Sequence, residues 1–133
     1  MDNLKNEVEL KEHERIDDLQ LGGLRIIQDP KGFCFGVDAV LLSNFIKLKP
    51  SDEVVEFGTG TGIIPILLTG KSTFKKIHAF EVQREVAEMA KRSVRLNKLC
   101  DKIEIIEDNL TQSSKYFESG AIDVVFSNPP YMS

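Results

Sequence analysis

Tryptophan is absent from this chain, cysteine and histidine occur only twice each, and no basic excess is visible. Each shortage excludes something. Cys34 and Cys100 are too few for a disulfide scaffold and fit no metal-ligand spacing, so they read as reduced, partly buried thiols and no metal is expected. His13 sits in an acidic leader and His78 on a strand without a visible partner, so both read as structural. No apolar run approaches the roughly 20 residues of a membrane helix. The start, Met1-Asp2-Asn3-Leu4-Lys5-Asn6-Glu7, lacks the basic and apolar stretches of a signal peptide, and cytoplasm is the expected location. Net charge is −4, carried by residues 1–20, where seven acids face Lys5, Lys11 and Arg15; beyond them 14 acids balance 14 bases. A nucleic-acid-binding surface usually shows a basic stripe. If the substrate is a nucleic acid, most of the phosphate grip must come from elsewhere.

What is present suits one soluble α/β domain: 133 residues, 41% hydrophobic and 29% charged. Residues 1–18 form a polar, acidic leader, read as a frayed or surface helix. Residues 19–50 read as a hairpin and helix. Leu19 to Ile27 is a strand interrupted by Gly22-Gly23, Phe33-Cys34-Phe35 is its partner after the Asp29-Pro30-Lys31-Gly32 turn, and Asp38 is the N-cap of an apolar helix ending before Pro50. From 51 to 133 strand and helix alternate. Strands are expected at Glu53–Phe57, Ile77–Phe80, Lys102–Glu107 and Ala121–Phe126, with helices at Ile63–Leu68, Arg84–Leu99 and Thr111–Phe117. Such alternation implies a parallel sheet covered by helices, with ligands beyond the carboxyl ends of the strands.

Every motif falls at such an end. Glu56-Phe57-Gly58-Thr59-Gly60-Thr61-Gly62 joins a strand to a helix. Glycines there allow a tight turn and close ligand approach, and the helix N-terminus offers free N–H groups. A nicotinamide dinucleotide loop would need a third small residue where this chain has Ile63 or Pro65. Glu81 ends the second strand, where a carboxylate can accept both hydroxyls of an adenosine ribose. Asp108-Asn109 ends the third strand. The strongest signal is Asn128-Pro129-Pro130-Tyr131, directly after the fourth. An exocyclic amine or carboxamide nitrogen is a poor nucleophile because its lone pair is delocalised. The Asn128 side-chain oxygen and the Pro129 carbonyl can accept both of its N–H groups and favour a pyramidal nitrogen. Pro129 and Pro130 stiffen the turn, and Tyr131 offers a face for stacking.

The glycine loop behind an acid, followed by Glu81, Asp108 and Asn128-Pro129-Pro130-Tyr131, resembles the class I S-adenosylmethionine-dependent methyltransferases over residues 19–133. Phe35-Gly36-Val37-Asp38-Ala39-Val40-Leu41-Leu42 resembles the bacterial branch that methylates N6 of an adenine in a valine tRNA. The resemblance implies S-adenosylmethionine as cofactor, held by Phe35, Asp38, Glu56, Gly58, Thr59, Gly60, Gly62, Glu81, Asp108 and Asn109. It implies catalysis by Asn128, Pro129, Pro130 and Tyr131, and an RNA substrate, tRNA. Release-factor glutamine methyltransferases share the Asn-Pro-Pro-Tyr turn, but their proline- and glutamate-rich signature before the glycine loop is missing.

Class I enzymes have seven strands in the order 3-2-1-4-5-7-6, of which this sequence supplies four. The expected fold is therefore a Rossmann-like α/β methyltransferase core truncated after the fourth parallel strand. Its apolar edge at Val124, Val125 and Phe126 is a pairing hazard and a route to self-association. Three functions stay open: an amino-group methyltransferase acting on adenine N6, one acting on the glutamine amide, and a silent cofactor-binding module.

Overall fold

The computed structural model describes residues 8–32, 34–109, 112, 115–117 and 120–128, and the following applies to those residues. Strands β1 (Arg15–Asp18) and β2 (Arg25–Gln28) form an antiparallel hairpin. Helix α1 (Val37–Phe45) follows, and then β3 (Glu53–Phe57), α2 (Ile63–Lys71), β4 (Lys76–Phe80), α3 (Arg84–Leu96), β5 (Ile103–Ile106) and β6 (Val124–Ser127). The four later strands make one parallel sheet in the order β5-β4-β3-β6. This is the expected class I order through the fourth strand, and no helix is long and apolar enough to cross a membrane.

The sheet's two faces explain why its strands read as near-continuous apolar runs. Val54, Ile77, Ala79 and Ile103 point into the main core with Ile63, Ile64, Ile66, Leu67 and Leu68 of α2, all buried. Pro65 fits because it stands in the first turn of α2, where its missing N–H has no helical partner. The opposite face gathers Val55, Phe80 and Ile106, with Phe57, Phe117 and Ile122 against them. Helix α3 buries Val86, Ala90 and Val94 as its periodicity predicts. It ends at Asn97, whose side-chain amide donates to the Arg25 and Ser93 carbonyls, and Lys98 takes a left-handed φ of 58°.

Several expectations need correction. The hairpin lies earlier than predicted: Gly22 and Gly23, at φ of 59° and 79°, turn the chain instead of interrupting a strand, and Leu19 N–H closes the loop on Leu24 O. Phe35 is not in a partner strand; its N–H donates to Gln28 Oε1. The leader is no surface helix from Val8 onward. Val8 is buried against Ile27, Met89 and Leu96, and residues 15–18 are a strand. Asp38 is not the N-cap of α1; Gly36 is, and Asp38 stands in the first turn, where a carboxylate complements the helix dipole. Both cysteines are exposed. His78 has two partners: Nε2 lies 2.8 Å from Glu53 and Nδ1 lies 2.9 Å from Glu104. These bonds tie β3, β4 and β5 side by side. Of the three apolar residues at the sheet edge Val125 is exposed, while Val124 and Phe126 are half-buried against the core. The helix expected at Thr111–Phe117 lies largely outside the described residues.

One buried ion pair holds the N-terminal segment to α3. Arg92 donates from both terminal nitrogens to Glu14, at 2.5 and 2.8 Å, and also to the Glu9 carbonyl. The two side chains are 4% and 3% exposed. The guanidinium, with a smaller contribution from the Lys11 N–H, holds the Glu14 carboxyl below its usual 4.5 in spite of burial. A lowered folded value means the pair stabilises fully above the ordinary carboxylate range and is lost as pH falls through the folded value. Arg92→Ala strands a buried carboxylate and is expected to cost about 3–5 kcal/mol in chemical denaturation. Glu14→Gln is expected to lower the melting temperature at pH 7, with the gap to the native chain closing below pH 4.5. A gap that is constant with pH would show that the pair is not ionic.

Candidate cofactor and catalytic site

The tips of β3, β4 and β6 are locked together by backbone bonds. Gly58 and Thr59 both donate to the Phe80 carbonyl, at 2.9 and 3.0 Å, and Asn128 N–H donates to the Phe57 carbonyl at 3.0 Å. The glycine loop is thereby wedged between the ends of its two neighbouring strands. Gly58, Gly60 and Gly62 all have left-handed φ, of 75°, 61° and 85°. A side chain at Gly58 would meet the Asn128 carbonyl at 3.1 Å, and one at Gly62 would meet Ala90 of α3 at 3.4 Å. Gly58 and Gly62 are therefore required by conformation and by close approach together, and Gly60 by conformation alone. The structure brings Asn128 against the glycine loop across about 70 residues of sequence; Pro129, Pro130 and Tyr131 lie outside the described residues.

Glu81 follows β4 directly and is buried. One carboxylate oxygen accepts from Gly60 N–H at 2.9 Å and the other from Gln83 N–H at 3.1 Å. The carboxylate thus fixes the shape of the loop while keeping lone pairs for a further donor. Asp108 lies just beyond β5. Its Oδ1 accepts from Asn109 N–H at 2.8 Å, and its Oδ2 from the Tyr116 hydroxyl at 3.0 Å. Those two bonds hold the Asp108 carboxyl below its usual value. Tyr116 also packs edge-on against Phe80, with ring centroids 5.5 Å apart. Sequence reading missed Tyr116, which stands in a segment with no periodic signal. Phe35 is half-buried against the core and Asp38 is exposed.

Beneath the loop lies a feature that folding alone does not explain. Glu56 is fully buried in the centre of the sheet, and neither of its carboxylate oxygens has a hydrogen-bond partner. The same holds for the Thr59 and Thr61 hydroxyls, also buried. Burial pushes the Glu56 carboxyl up to about 8; nearby Thr59 draws it partly back, and the Glu81 carboxylate adds to the rise. Unsatisfied buried polar groups are rare in native proteins and concentrate at binding sites. Four such oxygens around a glycine loop form a cradle rich in acceptors, suited to a ligand that brings N–H, O–H or positive charge. S-adenosylmethionine, with its ammonium, sulfonium and ribose hydroxyls, fits that donor set. Among the described residues no acid, histidine and cysteine cluster could hold a metal.

Known proteins place the chain in a family and a fold. The family model for the methyltransferase small domain matches residues 26–133. A tRNA1(Val) (adenine(37)-N6)-methyltransferase of Bacteroides thetaiotaomicron is 32% identical over 98 residues, spanning 72% of this chain and 40% of that protein. A putative protein N5-glutamine methyltransferase of Methanocaldococcus jannaschii is 30% identical over 115 residues, spanning 86% and 54%. Among solved structures, Trm5 of Methanocaldococcus jannaschii in complex with adenosine aligns with a TM-score of 0.64 at 22% identity, over 92% of this chain and 36% of that one, a likeness of fold. The chain spans about half the length, or less, of the curated relatives it matches.

The unpaired Glu56 carboxyl makes a signed expectation. Its raised value means that ionising it opposes folding: the cost starts near pH 4.5, grows as pH rises and levels off above about 8. Glu56→Gln in the cofactor-free chain is expected to raise the melting temperature by at least about 3 °C at pH 8 and hardly at all at pH 5. An equal change at both pH values would show that Glu56 is ionised in the folded chain. Gly58→Ala, which forces a left-handed alanine into the Asn128 carbonyl, is expected to cost about 1–2 kcal/mol or more. With the family model covering the whole sheet and the cradle formed at its strand tips, the chain belongs to the methyltransferase small domain family.

Proposed function

We propose that this chain carries the cofactor site and the amine-holding turn of an S-adenosylmethionine-dependent methyltransferase that modifies an exocyclic amino group, adenine N6 in tRNA. One observation carries the reading: Asn128 N–H is bonded to the Phe57 carbonyl and its own carbonyl stands where a side chain at Gly58 would be, so the turn that can hold an NH2 group begins at the wall of the cofactor cradle. The cofactor would supply an electrophilic methyl group on a sulfonium. Glu81 would accept from the ribose hydroxyls, Asp108 with Asn109 would meet the adenine, and Glu56, Thr59 and the loop amides would surround the methionine end. Asn128 would accept one N–H of the substrate amine and the Pro129 carbonyl the other, directing the nitrogen lone pair toward the cofactor. The proton leaves the nitrogen after transfer, so no strong general base is needed. Positioning then supplies most of the rate, on the order of 7–11 kcal/mol in favourable cases.

The adenine reading is favoured by the Phe35 to Leu42 segment and by the named activity of the Bacteroides relative. A glutamine amide presents the same NH2 group, and the Methanocaldococcus relative bears that name, so it is the second reading. Calorimetric titration of the 133-residue chain with S-adenosylmethionine and with NADH separates the methyltransferase from a nicotinamide enzyme. Mass spectrometry of a tRNA transcript and of a glutamine peptide after incubation then separates the two substrates. Glu81→Ala is expected to weaken cofactor binding about 10- to 100-fold through loss of charged hydrogen bonds. Asn128→Ala is expected to lower transfer at least ~100-fold, the scale for removing one positioned polar group, with cofactor affinity unchanged. Collapse of cofactor binding in Asn128→Ala would overturn the role given to that residue.

A further inference from the structure

Away from the strand tips, a groove of about 350 Å³ runs along β5 between it and the C-terminal half of α3. Its floor is Val94, Ile103 and Ile105, and its rim carries Lys76, Lys91 and Arg95. Three cations thus share one groove on a chain whose net charge is −4. The acids nearby do not neutralise them. Glu104 also lines the groove, but its carboxylate is bonded to His78. Among the described residues none of the three cations makes an ion pair. Three other cations are engaged, Arg92 with Glu14, Lys75 with Glu53, and Lys102 with the Phe74 carbonyl, whereas Arg84 of α3 has no ion pair among the described residues either.

Helix energetics alone give no net gain from this placement, since Glu88 three residues before Lys91 only offsets the like-charge pair that follows. Lys91 and Arg95 stand four residues apart on one face, about 6 Å along the axis, and a like-charge pair at that spacing costs a few tenths of a kcal/mol. The helix dipole accounts for Arg95, in the last turn of α3. It accounts neither for Lys91 nor for Lys76, which comes from a different element. A polyanion laid along the groove would turn this repulsion into attraction.

We infer that this groove is a phosphate-backbone contact for an RNA substrate, outside the catalytic cradle. The inference rests on the adenine-N6 reading above. Helix α3 starts beside Glu81 at the strand tips and runs away from them, which puts Lys91 and Arg95 about 10–16 Å further along. At roughly 3.4 Å per nucleotide that distance is three to five nucleotides of stacked strand. An RNA that delivers its target base to the strand tips therefore reaches the groove with phosphates only a few residues from that base. The contact carries no base readout: lysine and arginine on a shallow rim grip charge and register.

The test is the salt dependence of binding of a fluorescently labelled tRNA transcript to the 133-residue chain by anisotropy. Lys91→Gln, Arg95→Gln and the double variant are compared with the native chain and with Lys47→Gln, an exposed cation elsewhere. Each groove substitution is expected to lower the slope of log affinity against log salt by about one, uniformly across RNA sequences. Lys47→Gln is expected to leave the slope alone, and calorimetry with S-adenosylmethionine confirms that every variant keeps its folded cofactor site. RNA binding with an unchanged slope in the double variant would overturn the groove while leaving the adenine reading intact. Absence of RNA binding by a native chain that binds the cofactor would sink both. Loss of poly-glutamate binding in the double variant, with RNA binding unaffected, would assign the groove to an acidic protein partner and also overturn the inference.

Discussion

The position of β3 between β4 and β6 is the constraint on which the rest depends. Its residues pair on both sides, Val54 to Phe57 with Ile77 to Phe80 and with Val124 to Ser127. Because both registers end level, Phe57, Phe80 and Ser127 finish at one height, and the loop after β3 must pass between two strand ends. The Phe80 carbonyl then holds Gly58 and Thr59, and the Phe57 carbonyl holds Asn128. A slip of one residue in either ladder would turn the buried Val54 outward and pull Asn128 from the loop. The glycine loop and Asn128 are thus set against each other by sheet register, with no direct side-chain bond needed.

The cradle is also where the structure departs from good folding practice. A carboxyl at the centre of a sheet, without a hydrogen-bond partner, opposes folding once it ionises. It is tolerated because the core on both faces of the sheet is extensive, with α2 contributing six buried residues in a row. Local cost placed at a binding cradle and offset by apolar packing elsewhere is what a site under functional constraint looks like. Glu81 shows the other solution. Its two oxygens are satisfied by Gly60 and Gln83, so it shapes the loop at little cost and remains able to accept from a ligand.

Most of the sheet was legible because fully buried parallel strands are short apolar runs and their loops carry glycine, acid or proline signals. Glu53–Phe57 and the start of α3 at Arg84 were placed to the residue. Residues 8–28 were misread for the opposite reason. Val8, Glu14 and Ile16 are spaced among charges, and their order depends on partners far along the chain, Arg92 at 78 residues from Glu14. An arginine buried at 4% exposure inside a helix whose neighbours are Glu88, Lys91 and Arg95 has no local signature. His78 failed likewise: its partners come from adjacent strands, visible only once register is known. Within the site, glycines, Glu81 and Asn128 were legible from their positions after strands. That Asp108 is held by Tyr116 was not, since that bond depends on how the chain folds back after β5.

The charge pattern follows the same division between local and assembled features. Counted along the chain, cations and acids beyond residue 20 cancel, which argues against a nucleic-acid surface. Counted in space they separate. Arg92 is buried and matched by Glu14 of the acidic leader. Glu53 and Glu104 are drawn in around His78 on one face of the sheet. Lys76, Lys91 and Arg95 are left facing a groove with an apolar floor. A balanced sequence can therefore fold into an unbalanced surface, provided its acids have partners that the linear order does not show. The histidine that ties three strands engages Glu104, the acid that also lines the groove, and so leaves the groove its charge.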